Sequence, residues 1–306
     1  MLTLNQVSAL TEDEARETIE RILWPGGPIC AHCGATENVT RLQGQAHRAG
    51  VFQCNNCHEQ FTVTVGTIFE DSHLPLRKWL MAFALLCSAK KGISALQLQR
   101  ELDLGSYRTA WHLAHRIRHA MSREPLSSLL KGTIEVDETY VGGKPRRQVG
   151  APPAKRGRGT KKTPVVALVE RSGRVRARKI DRVDGATLKA AIRENVDRSS
   201  RIMTDEWPAY RGIGAEFEGG HETVNHGAGE YARDSAHVNT AESYFALLKR
   251  GVIGSFHHIS KEHLDRYCDE FSFRWDYRSI NDSARTEIAI WQTKGRRLSY
   301  RWPDKT

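Results

Sequence analysis

Four cysteines and three acids are the residues of this chain whose types and spacing can do chemistry. Cys30-Ala-His-Cys33 and Cys54-Asn-Asn-Cys57 form two knuckles separated by twenty residues. Paired thiolates at this spacing suit tetrahedral Zn²⁺ in a closed structural site. His32 and His58 sit in or beside the knuckles, but four cysteines suffice, so the ligand set is Cys30, Cys33, Cys54 and Cys57. The acids are Asp137, Asp205 and Glu242. Carboxylates presented by two strands and a helix can hold two Mg²⁺ or Mn²⁺ ions about 4 Å apart, to activate an attacking oxygen and stabilise a leaving one.

The elements that must position these groups can be read from pattern. Val51–Gln53 leads into the second knuckle as a strand and Gln60–Val65 leads out, so residues 26–70 read as a zinc ribbon. So small a ribbon has too little core to fold alone, and its metal must supply much of its stability. Within GTIEVDETYVGG, Ile134 and Val136 alternate with polar residues, and Gly142-Gly143 stops the segment. This is a strand with Asp137 expected at its end. Alternation turns Glu138, like Glu206 beside Asp205, to the opposite face, so neither joins the site. Arg201–Asp205 reads as a short strand ending in the second acid, and Thr240 opens a helix whose first turn carries Glu242. Between them lie a hairpin (164–170 and 174–180), a helix from Gly185 to Val196, and a strand at Glu222–Asn225; a helix from Lys261 to Ser279 follows. The order is that of a ribonuclease H-like α/β domain, expected over 130–285, with 286–306 as a tail.

Ahead of that domain, Thr11 and Glu14 make a capping box for a helix over 12–23. Residues 74–124 read as three helices, Leu76–Lys90, Ser94–Leu102 and Tyr107–Met121. The last carries Arg108, His112, His115, Arg116, Arg118 and His119 as its polar side. A helix, a Gly-containing turn and a basic helix form the helix-turn-helix pattern, whose second helix enters the major groove; a plain bundle with a solvated basic face has the same pattern. Cys87 and Cys268 stand in apolar helical surroundings and read as buried thiols. Lys144 to Lys162 holds eight basic residues and no acid, with three prolines and several glycines, and reads as an irregular loop able to close on a phosphate backbone.

The net charge of +10 favours nucleic acid as partner, and no apolar run is long enough to span a bilayer. The first residues lack a signal-peptide pattern, so a cytoplasmic, nucleoid-associated location is expected.

The two knuckles, IEVDETYVGGK, IMTDEWPAY, and the stretch from His237 to Arg278 together resemble DDE-type insertion-sequence transposases with an N-terminal zinc ribbon, the bacterial group related to Merlin elements. The resemblance covers nearly the whole chain. It implies a ribonuclease H-like core, divalent metal, and cutting and joining of the element's own double-stranded DNA ends in a homo-oligomeric synaptic complex. Asp137 and Asp205 match the first two metal ligands, and Lys249 a substrate-DNA contact. Relatives vary at the third ligand, some with Asn in place of the acid. Asn239-x-x-Glu242 is also a capping box, with Asn239 as N-cap, which would make both residues structural. Since a carboxylate holds Mg²⁺ better than an amide, Glu242 is the preferred ligand, Asn239 the runner-up, and His237 a neighbour able to position substrate. A nuclease of the same fold and a DNA-binding regulator with a decayed catalytic domain are the competing readings.

Overall fold

The computed structural model describes residues 2–44, 46–122, 128–143, 160–224 and 237–299. The chain divides into two units. Residues through Met121 and from Ser279 onward form one, and Ser122–Arg278 form the other.

The first unit opens with α1 (Leu4–Ser8) and α2 (Glu12–Leu23), each started by a capping box, from Thr3 with Gln6 and from Thr11 with Glu14. The ribbon is a three-stranded antiparallel sheet of β1 (Val39–Arg41), β2 (Phe52–Cys54) and β3 (Gln60–Phe61), ordered β1-β2-β3. The exit strand is therefore shorter than the expected 60–65, because the chain turns at Thr62–Val65. The helices α3 (Leu76–Ser88), α4 (Ala95–Glu101) and α5 (Tyr107–Met121) follow where apolar periodicity put them. Ser94 caps α4 by accepting the Gln97 N–H.

The polar side of α5 is not the exposed face that either the helix-turn-helix or the plain-bundle reading required. His115, Arg116 and Arg118 are buried. Arg116 donates to the Glu70 carbonyl, and its guanidinium lies 5.2 Å from the Trp79 ring centre. Only the start of α5, at Tyr107 and Arg108, is exposed. The expected tail also proves otherwise. Helix α9 (Asp282–Trp291) belongs to the first unit, with Ala289 and Ile290 buried. Arg285 donates to the Cys87 carbonyl (2.8 Å), and Arg296 donates to the carbonyls of His119 and Ala120 (2.8 and 3.0 Å). The catalytic-type unit thus ends near Arg278 rather than at 285.

The second unit is a five-stranded sheet ordered β6-β5-β4-β7-β8, from β4 (Thr133–Val141), β5 (Thr163–Glu170), β6 (Val175–Lys179), β7 (Arg201–Asp205) and β8 (His221–Val224). The pairs β4/β5 and β5/β6 are antiparallel; β4/β7 and β7/β8 are parallel. Helix α6 (Gly185–Asn195) supplies the crossover between β6 and β7. In order along the chain this is 3-2-1-4-5, the ribonuclease H-like topology. On one sheet face Ile134, Val136, Leu168 and Ile202 pack against Leu188, Ala191 and Ile192 of α6. On the other, Val141, Val165, Ala167 and Val169 pack against α7 (Asn239–Gly251) and α8 (Leu264–Asp276).

Candidate active site

Strand pleating assigns each acid to a face. Ile134 and Val136 face α6, so Glu135, Asp137 and Thr139 face α7. Ile202 likewise faces α6, whereas Met203 clusters with Val224 and Val238 just before α7, which puts Asp205 on the α7 side. The parallel register pairs Thr133 with Arg201 and Glu135 with Met203; the same offset sets Asp137 beside Asp205 on neighbouring strands. Glu242, in the first turn of α7, completes the group. Asp137 is not at the end of its strand as expected. It lies mid-strand, opposite Ala167 of β5, but at the point where β7 stops and the parallel half of the sheet ends.

The charges sense one another. Burial, then the carboxylates of Glu138, Asp205 and Glu242, push Asp137 up to about 7, against the Glu138 N–H that it accepts at 2.8 Å. Asp205 accepts the Trp207 N–H (3.1 Å), which fixes its side chain at the strand end. Such uncompensated negative charge is what a divalent cation would relieve. Among the described residues the cysteine quartet is the group of three or more donors that closes to within 4.8 Å. The three acids do not close to that distance. Glu138, excluded by alternation, indeed faces α6, where it accepts the buried Tyr210 hydroxyl at 2.8 Å.

The residue that pattern reading passed over is Glu135, fully buried two residues before Asp137 on the same face. It accepts from Thr240 N (2.7 Å), Thr240 Oγ1 (2.9 Å) and Ala241 N (3.1 Å), and pairs with Arg171 at 2.6 Å. Arg171 also donates to the His237 carbonyl (2.9 Å), and His237 Nδ1 lies 3.2 Å from Glu135. A strand carboxylate therefore caps α7 from outside, satisfying its free N–H groups and complementing its dipole. The capping box, the alternative reading of Asn239 and Glu242, does not form: Val238 is the cap residue, with no side-chain cap bond, and Asn239 is the first helical residue. Asn239 and Glu242 are both exposed, and His237 is half-buried with its ring beside Glu135. The signal for Glu135 was an acid on the inward face of a strand, which must find partners to be buried. Replacing Glu135 by Ala is expected to cost about 3–5 kcal/mol, since it strands Arg171 and the helix N–H groups; thermal melting checks it.

The cysteines meet as expected. Cys30 and Cys57 are 3.6 Å apart at Sγ, as are Cys33 and Cys54, close to the roughly 3.8 Å edge of a tetrahedron with 2.3 Å metal–sulfur bonds. The N–H groups of Cys57 and Asn56 hold the Cys54 thiol down to about 7 despite its desolvation. The residues after the two knuckles, Gly34 and His58, both have positive φ (79° and 61°), so the knuckles repeat one turn. Trp24, from the end of α2, packs on Phe52 and Phe61 (5.4 and 5.8 Å) and closes the ribbon core.

Residues 129–276 match the family described as ISXO2-like transposase domain, and residues 10–60 the transposase zinc-ribbon domain. The chain is 30% identical over 277 residues to an uncharacterized protein in transposable element ISH50 of Halobacterium salinarum, covering 87% of this chain and 91% of that one. The chain belongs to the ISXO2-like transposase family. Its ribbon, as the family delimits it, includes α2, which contributes Trp24. Two solved structures show weaker likeness to this transposase. They are the Mos1 strand transfer complex (16% identity, 71% of this chain and 75% of that one, TM-score 0.28) and the Mos1 transposase paired-end complex with left transposon end (17%, 71% and 74%, 0.30). The fold of the transposase rests on its strand order, not on these. The basic loop expected over 144–162 lies outside the described residues up to position 159. Among the described residues no helix of the transposase is long and apolar enough to cross a membrane.

Proposed function

We propose that this transposase cuts a phosphodiester at each end of its own element and joins the freed 3′-hydroxyl to target DNA, with Asp137, Asp205 and Glu242 as the metal-holding carboxylates. The observation that supports the reading is the convergence of these acids on the α7 face of the sheet: the β4/β7 register sets Asp137 beside Asp205, Glu242 stands in the first turn of α7, and their carboxylates add to burial and Glu138 in pushing Asp137 up. Mg²⁺ or Mn²⁺ bound there would supply Lewis acidity to both the attacking and the leaving oxygen. The chain's own part is positioning. The sheet holds Asp137 and Asp205 in register, and Glu135 fixes the first turn of α7 so that Glu242 meets them. Asn239, on the same exposed turn, stands beside the metal ligands without being one. Lys249 lies two turns on from Glu242, about 10 Å along one side of the helix, and neutralises a phosphate of the bound strand. In-line displacement then proceeds without a covalent protein intermediate.

Cys30, Cys33, Cys54 and Cys57 hold structural Zn²⁺ in this reading. Double-stranded DNA is met by the start of α5, where Tyr107 and Arg108 are exposed and where a recognition helix contacts base edges. The buried Arg116 and Arg118 stiffen the helix rather than touch DNA. Holding two ends together calls for at least a dimer, and a substrate carried on the chromosome calls for a cytoplasmic protein at the nucleoid. A strand-transfer assay tests the reading: with Mg²⁺, a precut end is expected to be joined to a target plasmid. A nuclease of this fold would cut uncut ends and leave the precut end unjoined, and a regulator would do neither.

A further inference from the structure

The exposed side of α7 continues past its last turn. Lys249 and Ile253 follow Glu242 by seven and eleven residues, about 20° to either side of it by α-helical spacing, and all three are exposed. Ile253 is 72% exposed, the most of any large apolar side chain among the described residues. It stands in a π-helical turn, Val252–Phe256, a form that is rare and concentrates at functional sites. The turn is built rather than loose. His257, which ends it, has φ 59° and ψ −42°, a conformation that side chains rarely adopt, and its Nδ1 bonds the Ile253 carbonyl at 3.0 Å. Behind the tip, Phe256 packs on Tyr267 and Phe271, at 4.8 and 6.4 Å between ring centres. A Cβ on Gly251 would lie 2.1 Å from the Phe271 ring, so α7 lies flush on α8, whereas Gly254 beside the tip has open space. The nineteen residues from Ser243 to Lys261 contain no acid, and Lys249, Arg250, His257 and His258 are exposed around the tip.

An exposed apolar tip on an acid-free, basic stretch of chain, on the same side of the helix as Glu242, matches the chemistry of a stacked, phosphate-lined polymer. We propose that Ile253 is a wedge that inserts between base pairs of the DNA held in the active site. Lys249 and Arg250 take the flanking phosphates, and the side chain unstacks one step, as apolar wedges do in kinked duplexes. Eleven residues of helix place Ile253 about 16 Å from Glu242, so the opened step lies within about five base pairs of the cleaved phosphate. Opening the duplex there would bend the end out of line and free the cleaved strand to reach a target. The inference rests on the DNA-cleaving reading above and adds a residue outside its metal ligands.

The test uses the full-length zinc-bearing protein and duplexes carrying the element's terminal sequence, with 2-aminopurine at successive positions around the cleavage site. Wild type is expected to raise the fluorescence severalfold at one or two positions within about five steps of the cleaved phosphate. Ile253→Ala and Ile253→Ser are expected to lose that rise while binding the duplex within about threefold of wild type, since the phosphate contacts remain. Ile253→Phe should restore it. A rise that persists in Ile253→Ala, or wild type that cleaves ends with no rise at any position, overturns the wedge and leaves the transposase reading standing. A change of oligomeric state in Ile253→Ala by sedimentation also overturns it, assigning the tip to contact between copies. Wild type that neither binds nor cuts the terminal duplex overturns both readings.

Discussion

Asp137→Asn is expected to abolish metal-dependent strand cleavage, by at least about a thousandfold, while making the protein more stable at pH 8 in the absence of added magnesium. The two effects have one cause. In the fold, burial and the carboxylates of Glu138, Asp205 and Glu242 raise Asp137 to about 7, from its ordinary value near 3.8. Below pH 3.8 the group is protonated whether folded or not and makes no difference. As pH climbs from 3.8 to 7 the unfolded chain releases this proton before the folded one does, so stability falls, and the loss is complete above 7. The neutral amide escapes that penalty, on the order of 4 kcal/mol for a rise from 3.8 to about 7, and keeps an oxygen to accept the Glu138 N–H. Magnesium should reverse the order: it should raise the melting temperature of the wild type above pH 7 and leave Asp137→Asn unmoved. Thermal melts at pH 5 and pH 8, with and without magnesium, beside a nicking assay of terminal duplex, measure it. Unaltered cleavage by Asp137→Asn would remove the acid from the site. Equal stability of the two proteins at pH 8 would mean that the three charges do not meet.

Loss of zinc should be as drastic for the first unit. Purified protein is expected to carry about one zinc per chain, and Cys54→Ser to carry almost none. Without a metal the ribbon would have little to hold it: the buried cluster consists of Cys30, Cys54, Phe52 and Phe61, edged by Trp24, Val39 and Val65. Four thiols 3.6 Å apart at their nearest pairs cannot all ionise without a cation between them, so removing the ion should drive the knuckles apart. Trp24 reports this directly, because its ring is held edge-on against Phe52 and Phe61. A shift of tryptophan emission and new protease cuts between about residues 25 and 65 are the expected signs. A Cys54→Ser protein with full zinc content and unchanged emission would show that the knuckles are not its ligands.

Local chemistry was legible in the sequence wherever the responsible residues lie close together along the chain. The knuckles, the Thr11–Glu14 box, the Ser94-initiated helix and the strand alternation that sends Glu138 away from Asp137 are all interactions within a few residues. The order of strands and helices likewise followed from periodicity, and with it the ribonuclease H-like topology. What pattern misjudged were polar side chains whose partners come from far away. Arg116 and Arg118 read as part of an exposed basic helix side, DNA-reading or solvated, because nothing nearby showed that residues such as Glu70 and Trp79 would take one of them up. The last helix read as a tail because its partners precede it by nearly two hundred residues.

The opening of α7 shows the same division. By itself the sequence determined that Asp137, Asp205 and Glu242 would be offered by two strands and a helix, since hydrophobic period and strand-ending acids are local properties. Only the tertiary structure decided that Asp137 and Asp205 share a register across parallel strands, and that Glu135, a hundred residues away, caps the helix in place of Asn239. A helix N-terminus needs an acceptor, and sequence names the nearest one; folding brought a buried carboxylate that had to be satisfied, and so left Asn239 and Glu242 exposed at the mouth of the site.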